Sequence, residues 1–154
     1  MIGEDDLKRA FGSVWWRFLE FEISRSRMMC DVAGSPVSAL ILQVVAYHNL
    51  TVIQSGLNEM HYNAIREHWE AGRENVKTKM PRKLSYAAIS DITGIDKETV
   101  RRSVKRLAEQ DWLAIDQKTG IHYQPSVSNQ DKLLMLNEWE LVNLGRLIDR
   151  LNNN

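Results

Sequence analysis

Between Ser85 and Leu107 the chain carries the start and stop signals of two short helices with almost nothing between them, and few folds accommodate that pattern. Ser85 has the side chain of a helix N-cap, and Ala88, Ile89 and Ile92 supply an apolar face behind it. Gly94 provides the left-handed backbone conformation that stops the helix. Two residues later Asp96 is a second N-cap, and Val100, Val104 and Leu107 repeat at the i, i+4, i+7 spacing of a helix face turned to a core. Ser90 is small where a crossing helix has to approach closely. The spacing predicts a helix-turn-helix, an arrangement whose second helix normally enters the major groove of duplex DNA.

The opposite face of that second helix carries charge. Lys97, Arg101 and Lys105 fall on one line and Glu98, Arg102 and Arg106 on the next, so the surface away from the Val-Val-Leu stripe is mostly cationic. Thr99, near the helix start, has a hydroxyl suited to a phosphate or a base edge, and an arginine can give two hydrogen bonds to guanine O6 and N7. The charge is local. The 154 residues balance to a formal net charge of zero, but Lys77 to Arg106 holds nine basic and three acidic residues, a net of +6, with −3 on each flank. The basic residues just before the first helix, Lys77, Lys79, Arg82 and Lys83, are either phosphate contacts or a polar linker around Pro81. Beyond Leu107, Trp112 to Asp116 and Ile121 to Gln124 read as two strands around the polar turn Gln117-Lys118-Thr119-Gly120, with Trp112 buried beneath the hairpin.

Helices are expected on both sides of this unit. Leu7, Phe11, Val14, Phe18 and Phe21 recur every three or four residues, with Trp15 widening the face, and Glu4, Asp5 and Asp6 suit the positive end of a helix dipole. Gly34-Ser35-Pro36 breaks the chain, and Pro36 opens a second helix that is apolar nearly all round and is expected to be buried. A third helix is expected from Asn58 to about Gly72, with Met60, Ile65 and Trp69; Thr51 to Gly56 reads either as continued helix or as a turn. From Ser128 Leu134, Leu141 and Ile148 repeat every seven residues, with Leu144 and Leu151 three beyond. Neither terminal stripe can stay exposed, so the first and last helices are expected to pack together, within one subunit or across a two-fold axis. The divisions expected are 1–76, 77–127 and 128–154.

From Lys83 to Ser126 the chain resembles the winged helix-turn-helix domains of bacterial transcription regulators. Glu98-Thr99-Val100-Arg101-Arg102-Ser103-Val104-Lys105-Arg106-Leu107 looks like the recognition helix and Asp116 to His122 like the wing. The flanking helices are similar to the MarR arrangement, in which terminal helices build a dimer. The resemblance implies a mainly α fold with a small β-hairpin wing, flanked by N- and C-terminal dimerisation helices. It implies a cytoplasmic homodimeric regulator that binds double-stranded DNA at an inverted repeat. DNA contacts are then expected from Lys97, Thr99, Arg101, Arg102, Lys105 and Lys118, with Lys83 and Arg82 at the flank. Dimer contacts are expected from Leu7, Phe11, Val14, Phe18, Leu134, Leu141, Leu144 and Ile148. A winged-helix module that binds a partner protein in a larger regulatory or replication complex is the alternative, and a small-molecule effector is compatible with either.

Other classes find little in the residues. The longest apolar run, Ala39 to Tyr47, contains Gln43 and falls well short of the roughly 20 residues of a membrane span. The acidic start is unlike a secretory signal. One cysteine, Cys30, makes no internal disulfide, suits a reducing compartment, and has no activating motif around it. His61 and His68 are seven residues apart, about 10.5 Å along a helix, too far to share one ion, and no cofactor motif is present. His48 reads as a core residue or a cavity wall. No catalytic motif appears, so no enzyme is expected. Trp15 and Trp16 cannot face the same side of a helix, so one is expected in the core and the other at an interface or pocket.

Overall fold

Gly34, Ser35 and Pro36 break the N-terminal helical region where the sequence sets the break. The structure, a computed structural model, describes residues 3–54, 61–71 and 83–152. Helix α1 spans Glu4–Ala33 and α2 spans Pro36–Gln54. Gly34 takes φ +84° and its N–H donates to the Cys30 carbonyl at 2.8 Å, closing α1. Ser35 Oγ accepts from the Ser38 N–H at 3.1 Å, which caps α2 with Pro36 in its first position. The segment that read both ways, Thr51 to Gly56, continues α2 as far as Gln54. Helix α3 follows at Tyr62–Ala71, its first turn capped by His61 Nδ1, which accepts from the Ala64 N–H at 3.2 Å. Ile65 lies on α3; the expected start at Asn58, Met60 and the Trp69 side chain lie outside the described residues.

The central unit follows its punctuation closely. Helix α4 (Tyr86–Thr93) is capped by Ser85, whose Oγ accepts from the Ala88 N–H at 3.2 Å, and ends at Gly94 with φ +71°. Helix α5 (Lys97–Glu109) starts at Asp96, whose Oδ1 accepts from the Thr99 N–H at 2.9 Å. The turn between them is stitched from both sides. Ser90 Oγ donates to the Ile95 carbonyl at 2.6 Å, and the Ile95 N–H donates to Thr93 Oγ1 at 3.2 Å. Ser90 therefore serves the turn through its hydroxyl as well as its small size. Strands β1 (Leu113–Asp116) and β2 (Gly120–Tyr123) pair antiparallel, with Leu113 opposite Tyr123 and Asp116 opposite Gly120. A feature absent from the sequence reading extends this sheet: Leu84, just before α4, bridges to Gly120, and the Ile121 N–H donates to the Leu84 carbonyl at 3.0 Å.

One apolar core joins these pieces. Met29 and Ala33 of α1, Ala39, Ile41, Leu42 and Val45 of α2, Ile89 of α4, and Val100, Val104 and Leu107 of α5 are buried together, with Trp112, Leu113, Ile121 and Tyr123 from the hairpin. Helix α2 packs on α4, α5 and β2, so the central unit is completed by a helix that precedes it by some 30 residues of chain. Trp112 lies beneath the hairpin as expected. Ile92 does not join this face: it is 65% exposed at the end of α4, and Ile95 beyond the turn packs against the core instead. Nor is α2 buried all round, since Leu40 and Tyr47 face outward.

Helix α6 (Val127–Asn152) returns along α1. Its start is tied to the end of α5 by buried Asn129, whose Nδ2 donates to the carbonyls of Gln110 at 2.7 Å and Asp111 at 3.1 Å. Farther on, Trp139 stacks on Phe21 at 5.4 Å, and Arg25 donates to Glu140 of α6 at 2.6 Å and to Gln43 of α2 at 2.7 Å. The terminal helices thus pack together within one chain. Arg17, Phe21 and Ser24 of α1 border one cleft with Arg146, Leu147 and Arg150 of α6, so that side of α1 is the one turned to α6. At 3.6 residues per turn Trp15 points nearly opposite that side and Trp16 about a quarter-turn away from it, so the expectation for the tryptophan pair fails: Trp15 is 47% and Trp16 58% exposed, and neither is in the core. Phe11, Trp15 and Phe18 stack on one another along the surface instead, and the Arg17 guanidinium lies over the Trp16 ring at 4.3 Å. Among the described residues no single helix is long and apolar enough to cross a membrane.

Candidate functional site

Helix α5 is built to show one face. Val100, Val104 and Leu107 have no exposed surface, and Ser103 is buried beside them. At 3.6 residues per turn, Glu98, Arg102 and Lys105 then point nearly the opposite way, with Arg101 and Lys97 to one side and Arg106 to the other. Lys97, Arg102, Lys105 and Arg106 are exposed. Hydrogen bonds from the Thr99 side chain and backbone hold the Asp96 carboxyl below its ordinary range, so the cap is a carboxylate at neutral pH.

The cations of this face are not equivalent. Arg101 is engaged by Glu98 through two hydrogen bonds, Nε to Oε2 at 2.8 Å and Nη2 to Oε1 at 2.6 Å. The Arg101 guanidinium in turn depresses the Glu98 carboxyl. Arg102 is 3.9 Å from the same carboxylate and reaches Thr99 Oγ1 at 3.5 Å. Thr99 therefore serves the cap with both its backbone and its hydroxyl, and the same hydroxyl oxygen accepts from Arg102. From the sequence alone Glu98 is one acid among cations and the fork is not apparent, although the three-residue spacing to Arg101 is the signal that points to it.

The hairpin turn stands beside this helix in the chain and is held by Asp116. Its Oδ1 accepts from the N–H groups of Lys118 at 2.8 Å and Thr119 at 2.7 Å, and the bonds to Thr119 are the main reason its carboxyl stays below the ordinary range. Thr119 Oγ1 and His122 Nε2 are 2.7 Å apart. Lys118 is exposed at the tip. Lys83 is brought to the same turn, where its ammonium donates to the Gln117 carbonyl. Arg82, Lys77 and Lys79 lie outside the described residues.

The residues expected at a dimer contact divide into two groups. Phe11 and Phe18 are exposed on α1 and Val14 is half-buried, while the Leu7 side chain lies outside the described residues. Leu141, Leu144 and Ile148 are exposed on α6, and Leu134 is half-buried. Leu134, Leu141 and Leu144 also line a cavity of about 200 Å3, with Tyr62 and Ile65 of α3 on one side and Tyr123 of β2 at one end. Among the described residues no three of His, Cys, Asp and Glu stand close enough to hold a metal ion; the His68 side chain is outside them. No family model matches the chain, and neither a curated protein nor a solved structure matches it at a significant level.

Proposed function

We propose that the chain is a winged helix-turn-helix regulator of the MarR-like kind, which binds duplex DNA sequence-specifically as a homodimer in the cytoplasm. In this reading α2, α4 and α5 form the three-helix cluster, α5 is the recognition helix and the β1–β2 hairpin is the wing. The observation that carries it is α5 itself: an entry capped by Asp96, one face fully buried, and an outer surface bearing Arg102 and Lys105 opposite the core with Lys97 and Arg101 to one side. Such a helix meets phosphates with its lysines and base edges with its arginines. A two-fold dimer would set two copies of α5 about 34 to 36 Å apart, so the expected site is an inverted repeat. The reading assigns no catalytic role to any residue.

Two features shape the roles within this reading. Lys83, tied to the Gln117 carbonyl, steadies the wing, so the flank contact falls more to Lys118. The cavity beneath α3 is the natural seat for a small apolar effector, because it joins α6 to the end of β2, and a ligand there would act only by favouring one arrangement of the two. The alternative is a partner-protein module of the same fold, and a single exposed side chain such as Ile92 does not by itself favour it.

The test is fluorescence anisotropy of a labelled duplex across a range of salt concentrations. Binding should weaken steeply with salt, and Lys97→Ala or Lys105→Ala should each reduce the slope of log affinity against log salt by about one. Failure of the folded protein to bind any duplex at low salt would move the weight to the partner-protein reading.

A further inference from the structure

Glu98 stands in the one place on α5 where an acid is hardest to reconcile with contact to DNA. It lies almost diametrically opposite the Val100, Val104 and Leu107 face. Any docking that sets the cationic side of α5 in a groove brings this carboxylate in with it. A carboxylate gains nothing from phosphates; the positive end of the helix dipole favours an acid in the first turn and the three-residue spacing brings it to Arg101, and what distinguishes the pair is which edge of the guanidinium it occupies.

The grip has a definite geometry. Glu98 takes the Nε and Nη2 edge of the guanidinium, at 2.8 and 2.6 Å. Of the five N–H groups of an arginine, this leaves both on Nη1 and the second on Nη2. Those remaining donors form the terminal edge of the fork, the edge that matches O6 and N7 of guanine. The carboxylate cancels the charge that would draw Arg101 to a phosphate and fixes the torsions that a long side chain must otherwise order on binding. Its unused lone pairs favour a base with an amino donor nearby, cytosine N4 or adenine N6, and disfavour a carbonyl. Arg102 has no such clamp, since it is 3.9 Å from Glu98.

We propose that Glu98 is a positioning residue that presents the terminal edge of Arg101 to a guanine, so that Arg101 reads sequence while Lys97, Arg102 and Lys105 hold the backbone. This rests on the DNA-binding reading above. It divides these four of the five α5 cations into one reader and three anchors, which neither charge nor spacing alone would do.

The experiment selects binding sites from a randomised duplex library with the wild-type protein, Glu98→Gln and Glu98→Ala, and measures the affinity of each for random duplex. Circular dichroism controls for folding. The wild type should select a guanine at one position in each half-site. In Glu98→Ala that preference should fall by about tenfold, while affinity for random duplex rises because a negative charge has left the surface. Glu98→Gln, which keeps one acceptor oxygen without the charge, should fall between the two. Arg101→Ala should lose the same guanine and no other position. A guanine preference unchanged in Glu98→Ala, with duplex binding intact, overturns the positioning role and leaves the DNA reading standing. Absence of duplex binding by the wild type overturns the DNA reading and this inference with it. In the free protein, the Arg101 Nε–H resonance should be protected from exchange and lose that protection in Glu98→Ala; equal exchange in both would also overturn the clamp.

Discussion

Gly120 shows how much a single position can hold. It has φ +95°, and a Cβ built on it would meet the Leu84 carbonyl oxygen at 2.6 Å and Lys83 Cγ at 2.8 Å. Both the backbone conformation and the bridge that joins the pre-α4 segment to β2 require its bare Cα. Gly120→Ala should therefore destabilise the fold by about 2 kcal/mol or more, read as a lower urea midpoint, whereas Gly94→Ala, whose Cβ meets nothing within 4 Å, should cost only the left-handed backbone strain, about 1 kcal/mol. Asp96 and Asp116 give the fold a pH dependence of known sign. Each carboxyl is held below its ordinary value of 3.8, Asp96 by Thr99 and Asp116 by Thr119 and Lys118. The unfolded chain therefore binds more protons in that range, so the stability from these bonds is complete above about pH 4 and disappears as the pH falls through the folded values. Melting temperatures measured from pH 6 down to pH 2 should show a decline that is shallower in Asp96→Asn, which caps without titrating. An equal decline in both proteins would remove Asp96 from the account.

At the scale of elements, the α4–α5 pair depends on its caps and its buried face to different degrees. Removing the α4 cap with Ser85→Ala should cost about 1 kcal/mol, since the part-buried Ala88 N–H loses its side-chain acceptor. Removing core volume with Leu107→Ala, at a position with no exposed surface, should cost roughly 2 to 5 kcal/mol, and chemical denaturation of the two variants separates the effects. The caps and the stripe were legible because each is decided within three or four residues: the Ser85 oxygen reaches Ala88, the Asp96 oxygen reaches Thr99, and Gly94 reaches back to Ser90. Ile92 shows the limit of the same local rules. Periodicity counts it on the Ala88–Ile89 face, but periodicity carries no information about where the neighbouring element ends.

For the whole molecule, the terminal helices set the question of assembly. Within one chain they meet at Phe21–Trp139 and Arg25–Glu140, which satisfies part of each stripe and leaves Phe11, Trp15 and Phe18 stacked in the open. An exposed aromatic ladder of this kind is the surface the proposed dimer would cover. Sedimentation equilibrium should give a dimer for the native chain and a monomer for the double variant Phe11→Ser with Phe18→Ser, whose circular dichroism spectrum should remain that of a folded helical protein. A native chain that sediments as a monomer across the micromolar range would remove dimerisation from the proposal, and with it the inverted repeat.

Sequence by itself determined the pieces whose causes are local: the break at Gly34-Ser35-Pro36, the two capped helices around Gly94, the α5 core stripe and the hairpin around Gln117 to Gly120. These rest on backbone geometry and on hydrogen bonds between residues a turn apart, so the chain states them directly. Only the tertiary structure decided that α2 completes the central unit, that Leu84 pairs with Gly120, that α6 packs on the Arg17–Phe21–Ser24 side of α1 and leaves Trp15 and Trp16 exposed, and that Lys83 turns to the wing. Those outcomes depend on which distant segments come to share a core, and many pairings of apolar faces are compatible with the same local pattern. The Glu98–Arg101 fork stands between the two cases. Its spacing is written in the sequence, but Arg101 and Arg102 were both within reach of one carboxylate, and the geometry of the folded helix chose Arg101.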